Sequence, residues 1–395
     1  MNSEVRVERF LRIAKRLPLL AAIPAVLAIR VISPLLLIRI GQSNAGRIGH
    51  FAMDTELAIC QRKGRTHSSK FPKIVDLYFI NGKVSNEYLF QLWKQVITYY
   101  PKWLLQPIHR LNQRLPGAGK FNVFDNVTHL DLTPLDSTEA SIHITQSDEA
   151  SALEILRKVG IVKDDKIVCF CVRDDAYLRT TFPSDDWSEH DHRDSSVQDY
   201  VMAAKALESQ GYKVLRMGKI VNEKFQTNSK SIIDYANSSI RSDMLDVYLF
   251  SKARFIISNS TGMDFLGALF RVPIGLVNVV SPKSIAKGNI VRLYQPKEFR
   301  DKATDEILSL EKLLKRGFAS VYNKRDFISM DVEIINNSPE DIRDFALEFQ
   351  QLVELELEIS YIREVQEILE KNNIRNGNLA KISRIWLSHH PKFIA

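Results

Sequence analysis

In the second half of the chain, short apolar runs alternate with amphipathic stretches. Ile167–Val172, Gly211–Arg216, Ala253–Ser258 and Pro273–Val279 read as strands; Ser195–Ser209, Met244–Ser251 and Gly262–Phe270 read as helices. Strand–helix–strand repeats imply a parallel sheet with right-handed crossovers. The first half opens the same way. Leu35–Ile40 is a strand, Gly41–His50 a glycine-rich turn, Phe51–Arg62 a helix, Lys73–Ile80 a second strand and Asn86–Tyr99 a second helix. Residues 101–146 hold prolines and little periodicity, which predicts loops with short elements. Ser147–Val159 reads as a helix stopped at Gly160, and the polar joint Lys163-Asp-Asp-Lys166 marks a domain boundary. Ser338-Pro-Glu-Asp341 is a helix start: a Ser cap, Pro at the first helical position and acids in the first turn. That helix is expected to run from Pro339 to about Asn372, with a kink.

The amino terminus has a different pattern. Residues 5–17 mix basic and apolar positions at helical spacing, and the apolar run Leu17–Ile29 follows, interrupted by Pro18 and Pro24 and ended by Arg30. A spanning helix needs about 20 apolar residues, and a central Arg costs roughly 2.5–3.5 kcal/mol on insertion scales. The expectation is a segment that lies on a membrane without crossing it. An ordinary helix packed on the domain is the plainer alternative. The divisions are then 1–33, a membrane-association segment; 34–162, an N-terminal Rossmann-like domain; 163–336, a C-terminal Rossmann-like domain; and 337–395, a helical extension.

Charge sharpens this picture. The 395 residues carry a net +7, and residues 1–40 alone hold an excess of five, from Arg6, Arg9, Arg12, Lys15, Arg16, Arg30 and Arg39 against Glu4 and Glu8. The rest is nearly balanced, which argues against a nucleic-acid partner and for local contact with an anionic membrane surface. Cys60, Cys169 and Cys171 are too few and odd in number for a disulfide framework, and fit a reducing compartment.

Four stretches carry candidate chemistry. In Gly41–His50, Arg47-Ile48 stand where a phosphate-binding loop needs Lys and Ser/Thr, so this is no Walker A loop. It still sets Gly46, Arg47, Gly49 and His50 at a strand-to-helix turn, the ligand side of such a sheet. His50 and Asp54, four apart, share a helix face; either serves as a general base, or Asp54 orients His50. The structural alternative has His50 capping the helix and Asp54 solvated. Ser258-Asn259-Ser260-Thr261-Gly262 follows an apolar strand and opens a helix, where small residues let amides converge on a diphosphate, or merely cap the helix. Cys171-Val-Arg173-Asp-Asp175 places an Arg at a strand end, to clamp phosphate or to pair with its neighbouring acids. Glu189-His-Asp-His-Arg193-Asp194 offers one HxH pair, a weak metal signature; Arg193 and Asp194 read better as a polar rim. Arg216, Gly218 and Asp234 lie on the same crevice side.

Taken in order, Cys171-Val-Arg173 with His192–Tyr200, then Val214–Gly218, then Ile233–Ala236 leading to Ser242–Asp246 and Phe255–Gly262 resemble a bacterial family of GT-B glycosyltransferases found with surface-polysaccharide genes. Gly46–His50 also fits, and the match covers residues 41–62 and 165–280. More distantly, Arg173 is similar to the strand-end Arg of α1,6- and O-fucosyltransferases, whose His-x-Arg-Arg is here Cys171-Val-Arg173-Asp174. The resemblance implies an α/β, GT-B-like architecture of two facing Rossmann-like domains with a C-terminal return helix. It implies a nucleotide-sugar donor in the C-terminal domain, an acceptor on the N-terminal domain, and no cofactor or catalytic metal.

The resulting expectation is a peripheral transferase at the cytoplasmic face of a bacterial inner membrane, moving sugar to a lipid-linked or surface-polysaccharide glycan. Ser258, Asn259, Ser260, Thr261, Gly262, Arg193, Arg216, Gly218 and Asp234 would hold the donor, with Arg173 on the leaving diphosphate. Asp54 or His50 would be the base, with Asp54 slightly favoured because carboxylates in general act as bases at neutral pH, while His50 would bond the donor's phosphate or sugar instead. The rivals are a sugar-nucleotide epimerase or hydrolase on the same frame, and an inactive polysaccharide-assembly factor.

Overall fold

The computed structural model describes residues 17–65, 72–281, 284–321, 323–358, 361–372 and 381–395. The basic helix expected over 5–17 lies, but for Leu17, outside them. The chain forms two compact units, Met1–Thr128 and His129–Ala395. The boundary expected at residue 163 falls inside the second, because the helix before it packs there: Lys252 Nζ donates to Glu149 Oε1 at 2.8 Å.

The first unit runs α1 (Leu17–Ala21), α2 (Ile23–Ile32), β1 (Leu36–Ser43), α3 (Ile48–Arg65), β2 (Lys73–Ile80), α4 (Glu87–Val96) and α5 (Lys102–Asn112). Its two strands pair in parallel, Leu36 with Lys73 through Ser43 with Ile80. β1 runs past Gly41, which is buried; a Cβ there would lie 3.0 Å from the Tyr78 and Phe124 rings. The glycine turn therefore shrinks to residues 44–47. Arg39 and Asp76, register partners, form a buried bidentate pair at 2.7 and 2.8 Å. α5 stands where loops were expected. Pro107 lies inside it, but the carbonyl its missing N–H leaves unpaired is that of Trp103, in the exposed first turn.

The second unit runs α6 (Gln146–Arg157), β3 (Lys166–Cys171), α7 (Ala176–Thr181), α8 (Val201–Ser209), β4 (Tyr212–Arg216), β5 (Ile232–Ile233), α9 (Asp243–Lys252), β6 (Ala253–Ser258), α10 (Asp264–Leu269) and β7 (Ile274–Val279). Then come β8 (Val291–Pro296), β9 (Glu298–Asp301), α11 (Leu310–Lys315), α12 (Lys324–Ser329), β10 (Val332–Ile335), α13 (Pro339–Glu354), α14 (Arg363–Lys371) and α15 (Arg384–His389). Six strands form one parallel sheet in the order β5-β4-β3-β6-β7-β8. β3, β6 and β7 are buried almost throughout, as strands covered on both faces must be. β9 and β10 form a separate antiparallel pair that the apolar pattern did not signal.

Ser338 caps α13 in a reciprocal capping box with Asp341, as the sequence implies. The stripe Ile342, Phe345, Phe349 and Val353 lies in the same core as Phe255, Ile257 and α8. Gly275 lets α13 approach: a Cβ there would lie 2.9 Å from both Phe345 and Phe349. The helix ends at Glu354 rather than continuing to Asn372, and α14 is a separate piece.

The last residues return to the sheet. Tyr294 and Ile382 form an isolated bridge, and the buried Trp386 stacks on His390 at 4.7 Å. His390 lies between two carboxylates, Nδ1 at 2.9 Å from Glu298 and Nε2 at 3.0 Å from Asp341. These hydrogen bonds, Asp341 first, hold the imidazolium and raise its pKa from 6.5 to about 9. Because the folded value is raised, the stabilisation is complete below pH 6.5 and is lost as pH rises through about 9. The urea midpoint of the native protein should therefore fall across that window, and that of His390→Gln should not. Parallel profiles would show that this latch contributes nothing.

Candidate functional site

The sheet of the second unit grows outward from its middle. β4 and β5 lie to one side of β3, and β6, β7 and β8 to the other. Between β3 and β6 the loops leaving the carboxyl ends diverge, and that is where open parallel sheets hold ligands. Arg173 follows β3 there, and Asn259–Gly262 follow β6.

Asn259, only 2% exposed, ties the loops together. Its Oδ1 accepts from the Arg173 amide at 2.8 Å, and its Nδ2 donates to the Arg193 carbonyl at 3.1 Å and to Ser195 Oγ at 3.2 Å. Ser258 is fully buried; its Oγ donates to Asp264 at 2.7 Å and accepts from the amides of Ser260 and Thr261 at 3.0 and 3.3 Å. Those two amides are thus already bonded inside the loop. Burial raises the Asp264 carboxyl to about 6 while Ser258 opposes the shift, so the protein's own acid sits at the start of α10. α10 has only six residues, and the exposed Gly262 lies just ahead of it. Ser260 adopts a left-handed φ of 68°, and its carbonyl accepts from the Arg193 guanidinium.

The segment 192–194 lies among cations. Lys297, 2% exposed, donates to the carbonyls of His192 at 2.8 Å and Asp194 at 3.4 Å. Arg173 Nε lies 3.1 Å from an Asp194 oxygen, close enough for an ion pair though not aligned as a hydrogen bond. Burial pushes Lys297 down to about 8, against the pull of Asp194. Burial likewise raises Asp194 to about 6, with Arg173 opposing. His192 falls to about 4, from burial first and then from Arg193 and Lys297. Burial alone disfavours the charged ring, and the neighbouring cations add to that.

Beside this, a cleft of about 330 Å³ opens between the ends of β3 and β4, lined among others by Asp174, Asp175, Asp194, Glu223 and Arg216. Arg216 is 1% exposed and engaged from three sides: Asp234 at 3.3 Å, the Glu223 carbonyl at 3.0 Å and Asp174 at 3.6 Å. Asp234 in turn accepts from the Phe225 amide at 2.9 Å and from Asn237 at 2.7 Å. Arg216, expected to touch the donor, lines the cleft, and the half-buried Asp234, expected there too, is its partner. Gly218 is a packing glycine, since a Cβ there would meet Val221 at 2.6 Å.

Asp175, Asp191 and Asp194 bring carboxylate oxygens within 4.8 Å of one another, a spacing that could hold a cation. Each already faces a protein cation: Arg179 on Asp175, Lys324 at 3.6 Å from Asp191, and Arg173 on Asp194.

In the first unit, His50 and Asp54 do meet on the first turns of α3, Nδ1 to Oδ2 at 3.0 Å, both partly exposed. Gly49 is buried beneath them, Gly46 is half-buried and Arg47 is exposed. Asp264, Lys297 and Glu223 escaped the sequence reading. Asp264 sits in a helix first turn, where acids are ordinary, and Lys297 reaches the loop from the joint between β8 and β9, over a hundred residues away.

No family model matches the sequence, and no curated protein matches it. Several solved structures are similar in chain path. A glycosyl transferase of family 9 from Veillonella parvula shares 13% identity with a TM-score of 0.41, over 79% of this chain and 98% of that one. E. coli ADP-heptose LPS heptosyltransferase II shares 11% with a TM-score of 0.43, over 81% and 99%. The dodecameric iron-containing heptosyltransferase TibC, bound to ADP-D-beta-D-heptose, shares 11% with a TM-score of 0.39, over 81% and 77%. Likeness this distant concerns the path of the chain and not its chemistry.

Replacing Asn259 with Ala removes the three side-chain bonds that join β3, β6 and residues 193–195. We expect a loss of about 1–3 kcal/mol in urea unfolding. A variant as stable as the native protein would show that these loops hold their places without it.

Proposed function

We propose that the protein is a nucleotide-sugar-dependent glycosyltransferase. The observation that carries this reading is that Arg173 and Lys297 meet residues 192–194 while the Arg193 guanidinium reaches Ser260, at the point where the strand order of the parallel sheet reverses. Such a crevice suits a diphosphate: the two guanidiniums offer planar paired donors, and the buried ammonium adds charge without contact. Ser260, Thr261 and the exposed Gly262 border it. The carboxylates of the neighbouring cleft suit ribose hydroxyls, as acids do in other nucleotide-binding sheets. On this reading Arg173 and Arg193 stabilise the diphosphate as it leaves.

The first unit supplies the base. An acceptor hydroxyl becomes a good nucleophile only as its proton is taken, and the His50–Asp54 pair offers two proton acceptors joined by a hydrogen bond. Bond by bond, the acceptor oxygen joins the anomeric carbon, the bond from that carbon to the diphosphate breaks, and the pair receives the proton. The ordered motif series supports a lipid-linked or surface-polysaccharide glycan as acceptor, at the cytoplasmic face of the inner membrane. No step needs a metal, and the acids near the crevice are balanced by protein cations.

The test screens UDP-, GDP-, ADP-, TDP- and CMP-sugars for binding, then measures transfer with the sugar that binds. Arg193→Ala should weaken binding roughly 10- to 100-fold, the worth of a charged hydrogen bond, with Arg193→Lys a poor rescue. His50→Ala and Asp54→Asn should keep donor affinity, and whichever group is the base should cost about 10²–10⁴-fold in transfer. Transfer should persist with metals chelated. Donor hydrolysed or epimerised without any acceptor would replace the reading with another sugar-nucleotide enzyme. Binding without turnover on any acceptor would leave an assembly factor.

A further inference from the structure

The first unit carries a surface that the chemistry above does not use. The outward positions of α1 and α2 are Leu20, Ala21, Ile23, Pro24, Leu27, Ala28, Val31 and Ile32, with no polar side chain among them. Leu20 is 59% exposed, Leu27 57% and Val31 77%. The opposite face, Ala22, Val26 and Ile29, is buried. An exposed helix face this apolar belongs either against a core or in lipid. α2, at ten residues, is about 15 Å long, half of a hydrocarbon core. No described helix is long and apolar enough to cross a membrane.

α2 is also fixed in place. Arg30 donates to Asn112 Oδ1 at 2.7 Å, to the Asn112 carbonyl at 3.2 Å and to the Pro116 carbonyl at 2.9 Å, which pins the helix to the end of α5. The charge that makes the run a poor spanning segment therefore clamps it flat on the unit. α5 packs against α1 and α2, and its start exposes Trp103 at 77% and Leu104 at 42%. An exposed Trp beside aliphatic side chains suits the boundary between headgroups and acyl chains.

Charge identifies the partner. Between Glu8 and Asp54, and again between Glu87 and Asp125, the chain has no acidic residue. These stretches include both parts of the surface and carry the exposed cations Lys102, Arg110, Arg114 and Lys120. We propose that the first unit binds an anionic lipid bilayer in-plane, through α1, α2 and the first turn of α5. Leu27, Val31 and Trp103 enter the headgroup boundary, and the neighbouring cations meet anionic headgroups. The surface is built from two segments distant in sequence, and it stands independently of the transferase reading.

The test is flotation of the full chain with vesicles of phosphatidylcholine alone or mixed with phosphatidylglycerol. The native protein should float with the mixed vesicles, less so at high salt. Leu27→Glu with Val31→Glu should lower partitioning about tenfold or more, and Trp103→Ala should lower it too, all with unchanged urea midpoints. Removing residues 1–16 should leave the dependence on Leu27 and Val31 intact. Native-like flotation of the variants would overturn the proposal. So would binding that follows residues 1–16 alone, or a variant that only dissociates a self-associated form in sedimentation, because the face would then be covered by the tail or by a second copy. Transfer to a soluble acceptor should survive these substitutions, which separates a failure here from a failure of the proposed activity.

Discussion

Because β3 and β6 pair in parallel, both strands leave the sheet at the same edge, and their loops must find partners there instead of forming a tight hairpin. Much of the second unit follows from that. Asn259, one residue beyond β6, joins the two loops and holds residues 193–195. Ser258, the last residue of β6, closes its own turn and reaches Asp264. The polar groups at the switch point are largely committed to one another, and this gives the crevice a defined shape.

Buried charge is treated in two ways. Arg39 with Asp76 is a closed pair, and the buried Arg216 is held between two carboxylates, Asp174 and Asp234; removing Asp76 would leave the buried Arg39 without its close partner. Around residues 192–194 charges of both signs meet: Lys297 donates to the carbonyls of His192 and Asp194, Arg173 faces Asp194, and Asp175 and Asp191 lie close to that carboxylate. The guanidiniums of Arg173 and Arg193 lie where the loops of the parallel sheet diverge, which is the geometric reason for reading the place as a ligand site.

The first unit rests on a smaller frame, two parallel strands with a cross-strand ion pair, and leaves apolar side chains outside. Arg30 gains carbonyl partners at the end of α5, which holds α2 against the unit while its outer face stays uncovered.

Much of the second unit was legible in the sequence because parallel strands buried on both faces are unbroken apolar runs, and β3, β6 and β7 fall within a residue or so of where those runs predict them. The capping box at Ser338 and the four-residue spacing of His50 and Asp54 are local, and local chemistry decided both. α5 was hidden because its prolines read as breaks, although one stands ahead of the first turn and the other frees a carbonyl at an exposed end. The early stop of α13, the β9–β10 pair and the place of α6 depend on contacts between distant segments, which no window of sequence contains. The same holds at the crevice. Sequence could name Arg173, Arg193, Arg216 and Asn259 as polar groups near strand ends. Only packing decided that Arg216 and Asn259 are engaged by protein partners while Lys297 arrives from the joint between β8 and β9, because a side chain's role depends on which of its possible partners the fold brings within hydrogen-bonding distance.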